Sequence, residues 1–102
     1  KANIFWMSRE AVRKNESIIF RCSTQETIAE IEKIEKKLNS SSFEIIKQDL
    51  DNLQELEVGE VIIKTKNPVI LKNFSEIEEL GRFVLVKGGN ICAGGIVTKE
   101  KI

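Results

Sequence analysis

The stretch "STQETIAEIEKIEKKL", residues 23–38, decides what kind of fold this chain adopts. Ser23 and Glu26 have the spacing of a capping box, in which a serine hydroxyl and a carboxylate satisfy the first amides of a helix. Ile28, Ile31, Ile34 and Leu38 then recur at helical intervals, so this segment alone favours a helix. The competing reading is one long barrel strand. In it a β-bulge near Glu32 and Lys33 resets the two-residue alternation, so that Ile31 and Ile34 both face the core. Periodicity does not choose between the two.

The flanking segments read as strands. Residues 2–7 are apolar and aromatic, residues 17–22 are similar, and the charged stretch 9–16 between them carries a turn at Lys14-Asn15. Gly59 opens "GEVIIKTKNPVIL", where Val61 and Ile63 alternate with Glu60, Ile62 and Lys64 until the only proline, Pro68, bends the ladder. "NSSS" at 39–42 is a loop. Residues 43–58 have helix-like spacing at Leu50, Leu53 and Leu56, and are either a helix or an ordered connection.

The stretch "LGRFVLVKGGNICAGGIV", residues 80–97, holds five of the six glycines. Gly88-Gly89 suits the two left-handed positions of a type I′ turn, which makes residues 82–87 and 90–98 a hairpin. Phe83 and Leu85 project to one side of the first strand and Val84 and Val86 to the other, so both sides seek burial. One side fills the interior of a closed barrel. The other meets a neighbouring domain, a partner, or this chain's own 43–58 connection. Gly94 and Gly95 allow sharp coiling or close backbone approach. They are not a phosphate cradle. Gly89 and Gly94 have Walker A spacing, but Gly95-Ile96 stands where lysine and Ser/Thr are required.

A chain of 102 residues with 16 basic and 16 acidic side chains is a single domain, residues 1–102, with no net field to recruit nucleic acid or an anionic membrane. Residues 44–60 hold six carboxylates against one lysine, as a solvated loop does. No apolar run is long enough to span a bilayer, and the chain reads as cytoplasmic. Histidine and tyrosine are absent, which removes the commonest general base and the usual zinc ligand. Cys22 and Cys92, seventy positions apart in apolar segments, read as small buried hydrophobes. Glu78-Glu79 and the Asp49, Asp51 pair read as surface charge. No residue is assigned to catalysis, to a cofactor or to a metal. The first residue is Lys1 and a strand follows at once, so the chain reads as a fragment of a longer protein.

"NIFWMS" (3–8), "SIIFRCSTQETIAEIEKI" (17–34), "LEVGEVIIKTKNPVILKNF" (56–74) and the glycine-rich stretch (80–97) follow one another in an order that resembles the C-terminal barrel of elongation-factor-Tu-like GTPases. Within that superfamily the chain looks most like the GTPase subunit of sulfate adenylyltransferase (ATP sulfurylase), often fused to adenylylsulfate kinase. That likeness is carried by Trp6-Met7, by Pro68 with the apolar residues after it, and by Phe74. Leu56 and Lys72 depart from the sulfurylase pattern, and "GRFVLVKGG" is nearer the elongation-factor style. The resemblance implies an all-β, closed six-stranded Greek-key barrel in which residues 25–38 are a long bulged strand. It also implies that GTP and Mg belong to the parent's amino-terminal domain. Partners implied are the preceding barrel, that GTPase domain and the catalytic sulfate adenylyltransferase subunit. The expected docking face comprises Phe5, Met7, Val84 and Val86, with polar contacts from Arg82 and the Gly88-Gly89 tip. The alternative parent is a translation elongation factor whose barrel contacts aminoacyl-tRNA, using a basic patch of Arg9, Arg13, Lys14 and Lys36.

Overall fold

A computed structural model of the chain describes residues 2–46, 50–67, 69 and 81–98. Asp49, Pro68, Lys72, Phe74 and Glu78-Glu79, singled out above, lie outside the described residues. The strands are β1 (Ala2–Trp6), β2 (Val12–Arg13), β3 (Ser17–Cys22), β4 (Gln25–Asn39), β5 (Ile45–Ile46), β6 (Asn52–Leu53), β7 (Glu57–Thr65), β8 (Arg82–Lys87) and β9 (Asn90–Val97). Six of them run β3-β8-β9-β1-β7-β4, and β4 pairs back onto β3, so the sheet closes into an antiparallel barrel. The expected all-β six-stranded barrel is therefore what the chain forms. β1 lies between β9 and β7, both remote from it in sequence. β5 extends the end of β4, and β2 pairs with β6 as a small ribbon.

Residues 25–38 are strand, and the local helix signals fail for identifiable reasons. Ser23 does not cap anything. With φ of 56° it occupies a left-handed position in the two-residue turn between Cys22 and Gln25, which are paired across the β3–β4 hairpin. Along β4, Thr27, Ala29 and Ile31 alternate inward as a strand requires. Register shifts against β7 then fall between Ile31 and Lys33 and again between Ile34 and Lys36. The first is the expected bulge; the second, at Glu35, was not foreseen. Each inserts one residue, so the next inward positions are Ile34 and Lys37, at intervals of three. A doubly bulged strand thus imitates helical spacing. The imitation misplaces two residues: Ile28 faces out at 48% exposure, and Leu38 faces out where Lys37 faces in.

The burial of Lys37 needs a partner. Its ammonium lies 3.4 Å from Glu57 Oε1 and donates to the Asn52 carbonyl at 3.2 Å. Glu57 Oε1 also accepts the Gln54 amide at 2.7 Å. Ion pair and hydrogen bonds together tie β4 to the segment carrying β6 and the start of β7. That segment is no helix: Leu53 is fully buried in the core, Leu50 is partly buried, and Leu56, at φ 68°, is exposed. Val12 from β2 is also fully buried, so the β2–β6 ribbon plugs the barrel with Val12 and Leu53.

The interior is otherwise apolar, built on Trp6, Phe20, Phe83, Ile4 and Leu85. Phe20 and Phe83 stack with ring centroids 4.7 Å apart. Trp6 satisfies its indole N–H on the Glu10 carbonyl at 2.7 Å. Cys22 and Cys92 are buried and form no disulfide, and burial pushes the Cys22 thiol up from its ordinary value. In the β8–β9 hairpin, φ is 60° at Gly88 and 79° at Gly89, as a type I′ turn demands. Among the described residues no helix is long and apolar enough to cross a membrane.

Candidate docking face

Directly opposed residues of neighbouring antiparallel strands project to the same side of a sheet. The inward set includes Ile4, which opposes both Gly59 and Gly95. The next residue, Phe5, therefore points out, and so do its partners Val58 and Gly94. Val58 opposes Leu38, Leu38 opposes Ile45, and Gly94 opposes Val84. Six strands thus carry one continuous outward row, Ile45-Leu38-Val58-Phe5-Gly94-Val84, with no charged member. Two residues further along each strand runs a more polar row, Lys36-Glu60-Asn3-Ile96-Arg82.

The row has a hole in it. Gly94 contributes no side chain, and a depression of about 390 Å³ opens there between Phe5, Met7, Val58, Ile96 and Arg82. A second depression of about 210 Å³ adjoins it, sharing Asn3 and Val58 and bounded by Lys36, Leu38 and Glu60. Met7 on the wall is 44% exposed.

The residues expected to form a docking face divide between two places. Phe5, Met7 and Arg82 line the Gly94 depression, and Val84 stands in the row beside it. Val86 does not join them. At 4% exposure it is buried within this chain, in a separate depression with Ile18, Ile19 and Ile28. Gly88 borders that second depression, and Gly88 and Gly89 are the exposed tip of their hairpin. Beside it Lys87 donates to Glu16 at 2.6 Å, and this hydrogen bond holds the ammonium above its usual range. Of the basic residues of the RNA alternative, Arg13 and Lys14 are neighbours at the β2–β6 ribbon and Lys36 is on another strand. Lys14 is paired with Asp51 at 3.5 Å, and Lys36 is on the barrel wall opposite Glu60.

Sequence reading missed Val58, Ile96, Leu38 and Ile45. Val58 and Ile96 follow from Phe5 once strand order and register are known, but neither is visible in a single segment. Leu38 and Ile45 depend on the second bulge. Among the described residues no group of three or more Cys, Asp or Glu side chains is placed to hold a metal ion.

The sequence matches the family described as GTP-eEF1A C-terminal domain-like over residues 1–98. It is 28% identical over 81 residues to elongation factor 1-alpha of Methanopyrus kandleri, and 30% identical over 79 residues to that of Natronomonas pharaonis. These alignments cover 79% and 78% of this chain and 19% of each relative. It is 29% identical over 85 residues to the bifunctional enzyme NodQ of Rhizobium sp. (strain N33), covering 83% of this chain and 13% of that one. The chain therefore spans a fifth or less of the length of these curated relatives. In fold it is similar to sup35 complexed with GDP, with a TM-score of 0.84 at 21% identity, over 96% of this chain and 24% of the other. A closed barrel of this strand order, matched along nearly all its length, belongs to the family of GTP-eEF1A C-terminal-domain-like proteins.

Proposed function

We propose that this barrel is a non-catalytic docking domain of a longer GTP-binding chain of the elongation factor 1-alpha type. The outward apolar row packs against the preceding barrel and GTPase domain, and GTP and Mg bind in that GTPase domain. The observation that carries this reading is the uncharged row from Ile45 to Val84 with the Gly94 depression in it. Burying such a face is favourable at about 25 cal/mol per Å² of apolar surface. A rigid barrel held this way transmits a nucleotide-dependent movement only if its contacts differ between the two nucleotide states.

Met7, the single methionine in the sequence, tests the proposal. Its thioether lies on the wall of the depression, so peroxide oxidation of Met7 should be several-fold slower in the full parent chain than in the isolated barrel. Equal rates would remove the docking reading.

Two parents fit, and they differ in partner. A translation-factor parent is favoured by the number of elongation factor 1-alpha relatives. A sulfate adenylyltransferase GTPase subunit, docking onto its catalytic subunit, is favoured by the Trp6-Met7 pair. RNA affinity that falls steeply with salt is the expected result for the first parent. Salt-independent co-purification with a catalytic sulfate adenylyltransferase subunit is expected for the second. Both parents act in the cytoplasm.

A further inference from the structure

We infer that Gly94 is a receptor for one bulky apolar side chain from the preceding part of the parent chain, and so selects which surface can seat on this face. The inference rests on the docking reading above and adds the chemistry of the contact. Glycine within a strand is destabilising relative to alanine, so a glycine there calls for a reason. The backbone turns left-handed, a side chain has no room inside the fold, the strand coils sharply, or something outside approaches closely.

The first two reasons do not apply to Gly94. Its φ is not positive, and a Cβ built on it meets no heavy atom within 4 Å. Its pairing is regular on both sides, opposite Phe5 on β1 and Val84 on β8, and the register shift in the β8–β9 pair begins only beyond Leu85. Gly95 is the internal contrast. It points inward, and a Cβ there would lie 2.5 Å from Phe83 Cζ and 2.7 Å from Ile4 Cγ2. One glycine makes room for this domain's own core. The other makes room for something the domain does not contain.

The walls specify the occupant. Phe5, Met7, Val58 and Ile96 present hydrocarbon and a thioether, with Asn3 and Arg82 the polar members of the lining, which suits leucine, methionine or phenylalanine. Asn3, on the same wall, belongs to the first strand, so whatever precedes β1 is tethered beside the hole. Such a tether gives a surface an effective concentration on the order of millimolar. In the relatives more than four-fifths of the chain lies outside the matched part, which the family description puts at the C-terminus.

The test uses the full parent chain with Met7 oxidation as the reporter, each variant being compared with the isolated barrel carrying the same substitution. Gly94→Leu should abolish the protection of Met7, and the isolated Gly94→Leu barrel should melt within a few degrees of the unaltered one. If the unaltered parent protects Met7 and the Gly94→Leu parent protects it equally, the hole is unoccupied. The inference is then overturned while docking stands. If the unaltered parent does not protect Met7, the docking reading fails and this inference fails with it. Should Gly94→Leu unfold the barrel, Ile96→Phe fills the depression from its wall and carries the same outcomes.

Discussion

Replacing Lys37 with methionine is expected to destabilise the barrel by about 3–5 kcal/mol, because it leaves a buried carboxylate without its countercharge. Lys37 and Glu57 side chains are 2% and 8% exposed, far from the solvated pairs that contribute about 0–1 kcal/mol. Losing Lys37 also removes the donor to the Asn52 carbonyl, which anchors the segment that sends Leu53 into the core. Urea unfolding should show a lower midpoint with an unchanged slope. Glu57→Gln added to Lys37→Met should recover most of the loss, since it removes the orphan charge and keeps an acceptor for the Gln54 amide. A loss under about 1 kcal/mol for Lys37→Met would show that water reaches the pair.

The second large effect separates two adjacent glycines. Gly95→Ala should lower stability by about 1–3 kcal/mol, equivalent to a fall of roughly 5–20 °C in melting temperature, because the added carbon overpacks the core. The atoms it meets have little freedom to retreat. Phe83 is stacked on Phe20, and Ile4 is 1% exposed on a strand paired on both sides. Phe83→Leu in the Gly95→Ala background should restore part of the loss by giving back the space the ring occupied. Gly94→Ala should leave the melting temperature of the isolated barrel unchanged or slightly raised, since its Cβ meets nothing and the unfolded chain loses freedom. Equal destabilisation by the two substitutions would contradict the alternation that points one glycine in and the other out.

Both predictions rest on features with different legibility in the sequence. The β8–β9 hairpin was plain, since Gly88-Gly89 between two apolar runs leaves little choice of turn. The two-sided apolarity of 82–87 announced a covered interior and an outside that needs company. Which outside residues do so was not plain: Val84 and Val86 have the same parity, yet Val86 is buried beside Ile19 while Val84 stands in the outward row. Burial depends on the neighbouring strand, and β3 is more than sixty positions away in sequence. Lys37 was overlooked for a related reason. A lysine in a charged run reads as solvent-facing until two bulges turn it inward toward Glu57.

Local chemistry alone therefore determined the Lys14-Asn15 and Gly88-Gly89 turns and the presence of strands around the ambiguous segment. Resemblance supplied the closed barrel. Only tertiary pairing decided that residues 25–39 are strand, because β4 finds hydrogen-bond partners on both β3 and β7. That ladder outweighs a capping signal whose serine is needed in a turn. Tertiary register likewise decided the outward apolar row. Ile45, Leu38, Val58, Phe5, Gly94 and Val84 come from six strands and become one row only when those strands pair in register.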